Sequence, residues 1–184
     1  MQFDIQRATL SDVPKVFALI TPFADQGEML HRPLSELYEN IRDYMVIKDD
    51  ADELIACGSL HVVWADLAEV KAVAVREDYQ SQGLGKLLVS RCMEEAREMG
   101  LATIFCLTHK PGYYEQLGFV QSDVMTLPRK GWGECLRCPK FPHCNEIAMV
   151  IHLKEGGAES MKQDPSDAVP IANLPMWPTA GRSG

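Results

Sequence analysis

The segment Tyr79-Gln80-Ser81-Gln82-Gly83-Leu84-Gly85-Lys86 sets two closely spaced glycines at the start of an apolar helical pattern. Gly83 and Gly85 let the backbone come close to a ligand, and the amides of a first helical turn have no intrahelical acceptors. Together with the positive end of the helix dipole, such a turn receives phosphate oxygens, those of a diphosphate above all. A Gly-x-Gly turn alone is more often only a tight turn, so its context decides. Lys86 is followed by Leu87, which excludes a Walker A loop, and position 88 is Leu, which excludes the third glycine of a dinucleotide fingerprint.

The elements that must position this turn can be read from the apolar pattern. Residues 2–8 form a first strand, and Ser11-Asp12 caps a helix carrying Pro14 in its first turn and Val13, Val16, Phe17 and Ile20 on one face. Thr21 to Arg32, with Pro22 and Gly27, is a mobile loop near a substrate, and a second helix follows Pro33 through Leu34, Leu37, Tyr38 and Ile41. Tyr44 to Lys48 and Glu53 to Trp64 make a hairpin across Asp49-Asp50-Ala51-Asp52. A third strand, Leu67 to Arg76, feeds the glycine turn. Its period of two puts Glu69, Lys71, Val73 and Val75 on one face and Val70, Ala72 and Ala74 on the other. The next helix carries Leu84, Leu87, Leu88, Cys92, Ala96 and Met99 as one stripe. Leu101 to Thr108 is a strand, Gly112 to Leu117 a short helix ended by Gly118, and strands begin at Phe119 and over Glu146 to Leu153. The order predicts an α/β (α+β) fold with a mixed sheet.

The pattern Gln80-x-x-Gly83-x-Gly85 resembles the acyl-CoA-binding motif of the GNAT superfamily of N-acetyltransferases, which also lies between a central strand and a long helix. Thirty residues on, Tyr113-Tyr114-Glu115-Gln116-Leu117-Gly118-Phe119 resembles the superfamily's second signature. The run Ala68-Glu69-Val70-Lys71-Ala72-Val73-Ala74-Val75, the pair Leu107-Thr108, and the series Trp132, Cys135, Cys138, Pro139-Lys140 and Cys144-x-Glu146-x-Ala148-Met149 are similar to the short bacterial N-acetylglutamate synthases. The likeness covers roughly residues 3–153, with Gln80 in place of the commoner Arg and Ser81 in place of the commoner Gly.

This resemblance implies a GNAT-type, mostly antiparallel central sheet with a V-shaped splay, flanked by helices, over residues 1–153. It implies acetyl-CoA as co-substrate, held by Gln80, Ser81, Gln82, Gly83, Leu84, Gly85 and Lys86, with a bulged strand offering the backbone of Val73, Ala74 and Val75 to the pantetheine arm. Tyr114 aligns with the acid that protonates the departing thiolate, and Tyr113 is expected to pack. Glu69 stands where several members place a base; a salt-bridged strand-end carboxylate is the other reading. The acceptor implied is the α-amine of a small amino acid, glutamate foremost, with glutamine, aspartate or another amine as alternatives. Its carboxylates call for bidentate cations. Arg32 and Lys71 are the candidates, Arg129 and Lys130 weaker ones. A non-catalytic acyl-CoA sensor is the reading from another class.

Cys135-Leu-Arg-Cys138 followed by His143-Cys144 has metal-like residue types, but only four residues separate the pairs, where zinc motifs usually place about a dozen. Reduced thiols on a substrate-side loop are preferred, with a zinc at Cys135, Cys138 and Cys144 or a redox disulfide left open. The net charge of −8 over 184 residues argues against a nucleic-acid partner. No apolar run of membrane-spanning length occurs, and the amino-terminal residues lack a signal-peptide pattern, so no membrane partner and a cytoplasmic location are expected. A homodimer is an expectation by analogy. From Lys154 on, Gly156, Gly157, Pro165, Pro170, Pro175 and Pro178 interrupt any periodicity, and residues 154–184 are expected to be a disordered tail.

Overall fold

Seven strands form one sheet in the order β1-β2-β3-β4-β5-β7-β6. They are β1 (Ile5–Arg7), β2 (Tyr44–Lys48), β3 (Leu54–Trp64), β4 (Leu67–Val75), β5 (Thr103–Thr108), β6 (Val120–Ser122) and β7 (Ile147–His152). The structure, a computed structural model, describes residues 3–124, 127, 138 and 143–160. Every pairing is antiparallel except β4 with β5, whose parallel course is imposed by the intervening helix α3 (Leu84–Glu98).

The β4–β5 pairing is short. Only Leu67, Ala68 and Glu69 register with Thr103, Ile104 and Phe105. Beyond that point β4 follows β3 to Val75 while β5 follows β7 to Thr108, so the sheet splits into a V with its apex at Glu69. The expected mixed, mostly antiparallel, splayed sheet is the one observed.

A bulge near the apex overturns the expected alternation along β4. Ser59 registers with Lys71 but Cys57 with Ala74, so one residue of β3, Gly58, faces two of β4. Ala72 takes φ 54 there, the left-handed region that costs an alanine about 1–2 kcal/mol. The extra residue reverses the sides of all later residues in the strand. Val73 and Val75 join Val70 in the cluster beneath α3, whereas Ala74 shares the opposite face with Lys71. Glu69 and Lys71 therefore face away from the valines that period-two counting groups with them.

That opposite face is covered by α1 (Val13–Asp25) and α2 (Leu34–Glu39), through Val13, Val16, Ile20 and Leu37 on Tyr44, Val46, Cys57 and Ala74. Helix α1 runs through Pro22 to Asp25, so the loop expected from Thr21 starts at Gln26; the Thr21 hydroxyl bonds the Phe17 carbonyl at 2.7 Å in the last turns. The helix start is also built differently from the expected Ser11-Asp12 cap. Asp12 turns back to accept from the Thr9 amide and hydroxyl at 2.9 and 2.8 Å, and it meets Lys48 Nζ at 2.9 Å. On α3 the buried row is Leu84, Leu88, Val89, Cys92 and Ala96. Leu87 and Met99 lie outside it, 40% and 54% exposed, because the sheet receives the i+4 row and they fall at its margin.

Helix α4 (Pro111–Glu115) follows β5, and α5 (Gly157–Ser160) follows β7. Leu153, the last residue of the expected domain, donates its amide to the Ala102 carbonyl at 2.8 Å, and Lys154, the first of the expected tail, reaches the Gly100 carbonyl with its Nζ at 2.7 Å. Residues 161–184 lie outside the described residues. Among the described residues no helix is long and apolar enough to cross a membrane.

Candidate active site

Because β4 and β5 part at Glu69, the sheet is open along its middle, and a cleft of about 880 Å³ runs through the gap. Its floor is β4 from Glu69 to Val75. The glycine turn closes one end, and the loop after α1 with the β5–α4 junction closes the other. Two sets of groups thus meet from opposite faces of one sheet.

At the first end Gly83 is the N-cap of α3 with φ 83, a conformation that only glycine adopts without strain, and it has no side chain to occupy the first-turn amides. Ser81 also takes a left-handed φ of 61, which explains the glycine commoner in that position. Gln80, Ser81, Gly83, Leu84, Gly85 and Lys86 line the cleft, as do Val73, Ala74 and Val75. Gln82 does not line it and reaches back toward the Asp78 carbonyl at 3.5 Å. The Gln80 amide is spent within the chain, donating to the Val75 carbonyl at 3.2 Å, so this side chain ties strand to loop.

Tyr114 enters from the α3 face. It is buried, with edge contacts to Tyr113 at 5.1 Å and Phe119 at 5.4 Å between ring centroids. Burial first, then the Cys106 thiol and Tyr113 beside it, hold its phenol well above the ordinary range, so it carries its proton throughout neutral pH. Tyr113, expected only to pack, has a buried hydroxyl with no hydrogen-bond partner and also lines the cleft.

Glu69 and Lys71 approach from the α1–α2 face. Lys71 Nζ lies 3.6 Å from Glu69 Oε2, and both side chains are largely buried. In the cross-strand rows, Tyr44, Ser59 and Lys71 stand side by side, and so do His61, Glu69 and Phe105. Arg32, in the segment before α2, bonds Glu36 and feels the fields of Tyr44 and Glu69. The structure thus brings Arg32, Glu69 and Lys71 to one cleft wall, 39 residues apart in sequence at most.

Several lining residues carry no signature in the sequence. His109 Nε2 lies 3.8 Å from Glu146 Oε1, and Lys110 Nζ lies 2.8 Å from Glu28 Oε2, joining the two loops at the acceptor end. Of these four only Glu146 stands in a motif, the Cys144-x-Glu146-x-Ala148-Met149 series; for His109 and Lys110 the sequence offers no more than adjacency to Leu107-Thr108. Cys138 and Cys144 line the cleft as free thiols, and among the described residues no three His, Cys, Asp or Glu side chains group as metal ligands. Cys135, Arg129 and Lys130 lie outside the described residues.

Such an arrangement suits transfer of a group between a long phosphate-bearing ligand and a small polar acceptor. Residues 13–119 match the Acetyltransferase (GNAT) family. An uncharacterized N-acetyltransferase of Chlorobaculum tepidum is 32% identical over 149 residues, 81% of this chain and 96% of that relative. An amino-acid acetyltransferase of Mycobacterium tuberculosis is 33% identical over 135 residues, 72% of this chain and 77% of that one. Among solved structures, N-acetylglutamate synthase of Neisseria gonorrhoeae, complexed with coenzyme A and N-acetyl-glutamate, superposes with a TM-score of 0.73 at 27% identity. That likeness covers 84% of this chain but 36% of the synthase, which is a longer protein. The glycine turn, the split sheet and these relatives agree: the chain belongs to the acetyltransferase (GNAT) family and is an acyltransferase.

Proposed function

We propose that the protein transfers the acetyl group of acetyl-CoA to the α-amine of a small amino acid, L-glutamate foremost, as the first step of arginine biosynthesis. The observation that carries this reading is the parting of β4 and β5 after Glu69, which opens the cleft to an acyl donor from the glycine turn and to an amine from the α1–α2 face. The synthase from Neisseria gonorrhoeae, with its bound coenzyme A and N-acetyl-glutamate, supports the choice of glutamate.

The donor set fits coenzyme A. First-turn amides after Gly83 take diphosphate oxygens, and the edge of β4 at Val73 to Val75, which β5 leaves without a partner strand, pairs with the amides of the pantetheine arm as an added strand. A backbone amide there faces the thioester oxygen, and such a donor is typically worth about 10²–10³ in rate. Arg32 and Lys71 bind the carboxylates of the amino acid. Glu69 takes the proton of the ammonium group, and the neutral amine attacks the acetyl carbon directly in a ternary complex. As the carbon–sulfur bond breaks, Tyr114 gives its proton to the sulfur; the nitrogen of the tetrahedral intermediate, positively charged after attack, releases its second proton to solvent, and a solvent proton restores Tyr114.

The test is mass-spectrometric detection of product from purified protein, acetyl-CoA and a panel of free amino acids. N-acetylglutamate as the dominant product is the expected result. A different acetylated amino acid keeps the reaction and replaces the substrate. Coenzyme A binding without turnover on any member of the panel favours a sensor instead.

A further inference from the structure

A base at Glu69 must lose the proton it takes before the next turnover, and this carboxylate is buried in the cleft wall. Lys71 and Arg32 beside it are cations with donors and no acceptor, so neither can relieve it of a proton. Phe105, its partner in the parallel register, is apolar. Cys106, which feels the Glu69 charge, keeps its own proton, since burial first and that charge second push its thiol up. His61 differs from all of these. It stands directly opposite Glu69 in the β3–β4 register, on the same face of the sheet, and such pairs lie about 5 Å apart at Cβ. An imidazole both accepts and gives up a proton near neutral pH.

The ring is also held. Because β2 begins at Tyr44, opposite Ser59, the later residues of β3 run past it, and Asp43 closes on His61 there, with Oδ2 2.6 Å from Nδ1. A carboxylate is an acceptor, so Nδ1 carries the hydrogen and Nε2 the lone pair. Glu69 lines the cleft and His61 does not; the His61 side chain reaches solvent, 27% exposed against 6% for Glu69. We propose that His61, held by Asp43, is a positioning residue that takes from Glu69 the proton drawn from the substrate ammonium and passes it to solvent. The inference rests on the reading of Glu69 as the base. In the step, protonated Glu69 gives its proton to Nε2 and returns to carboxylate. The imidazolium so formed is stabilised by the Asp43 charge, then loses one proton to water and is neutral again.

The experiment is steady-state kinetics of the wild type, His61→Gln, His61→Ala and Glu69→Gln with acetyl-CoA and the amino acid that the panel turns over, with and without added imidazole. His61→Gln keeps a polar side chain of similar reach but cannot carry a proton. It is expected to lower kcat about 10-fold or more, with both KM values within about twofold of the wild type. Imidazole in the buffer is expected to raise kcat of His61→Ala several-fold and to leave the wild type and His61→Gln unchanged, since only alanine leaves room for the missing ring. A His61→Gln with the wild-type kcat overturns the proposal. So does a His61→Ala that imidazole does not restore, or a loss carried by the KM values and not by kcat, each of which makes the His61–Asp43 pair structural. A Glu69→Gln with the wild-type kcat overturns instead the reading of Glu69 as the base, on which the inference rests.

Discussion

Lys71 Nζ lies 3.6 Å from Glu69 Oε2 on one face of β4, just before the bulge at Ala72 turns the strand over. The pair is well placed for two tasks, holding a carboxylate and accepting a proton. Lys71→Met is expected to raise the KM for the amino acid about 10- to 100-fold with little change in that for acetyl-CoA, and Lys71→Arg to restore part of it. Glu69→Gln is expected to lower kcat about 10²-fold or more. Steady-state kinetics with each substrate varied checks both, and equal effects on the two KM values would count against the assignment.

Tyr114→Phe is expected to lower kcat about 10²- to 10⁴-fold and leave coenzyme A affinity unchanged. Burial, then Cys106 and Tyr113, raise the phenol's pKa. A raised pKa means the acid form persists upward in pH, so kcat should show no alkaline fall from Tyr114 up to about pH 10, where an unperturbed tyrosine would lose its proton. A descending limb near pH 8 that Tyr114→Phe abolishes would sink this view of the acid.

Ser81 holds a left-handed φ of 61 in the turn before α3. Substituting glycine relieves roughly 1 kcal/mol of strain and adds a similar unfolded-state entropy, so Ser81→Gly should stay within about 0.5 kcal/mol of the wild type. Ser81→Val, β-branched at the same φ, should destabilise by more than about 1 kcal/mol. Denaturant unfolding distinguishes the two.

Gly85→Ala tests the sign of two opposed effects. Alanine gains up to about 1 kcal/mol of helix propensity, while a Cβ 2.7 Å from the Tyr113 hydroxyl costs about 1–3 kcal/mol. The single variant is expected to be destabilised, and combining it with Tyr113→Phe should recover most of the loss. Additive effects in the double variant would show that the two sites do not touch.

Asp12 binds Lys48 and Thr9 at the start of α1. Burial alone would raise its pKa, but the hydrogen bonds from Lys48 and from the Thr9 backbone and hydroxyl outweigh burial and hold it below the ordinary value. A depressed folded pKa gives stability that is present above the unfolded pKa, about 3.9, and lost as pH falls through the folded one. Asp12→Asn should therefore cost about 1–3 kcal/mol at pH 7, and the difference should shrink below about pH 4. A difference that persists undiminished at pH 2 would assign it to packing.

The residues by themselves determined the order of elements, the glycine turn at the head of α3 and the tyrosine signature, because hydrophobic period and positive-φ demand are local properties. The loop expected from Thr21 starts only at Gln26, because α1 carries on through Pro22 to Asp25. What only the fold decided was which side chains meet. The two faces of β4 exchange at Ala72 because Gly58 opposes two residues, and no period in the sequence announces an inserted residue. Arg32 joins Glu69 and Lys71 because the segment before α2 is laid over the sheet, and Glu28 meets Lys110 across 82 residues for the same kind of reason. In its motif Tyr113 reads as packing; only the placing of α4 beside Gly85 in the first turn of α3 leaves its hydroxyl buried without a partner. Local sequence sets conformation, while the convergence of distant charges and orphaned hydroxyls depends on how the sheet splits and what is packed on each face.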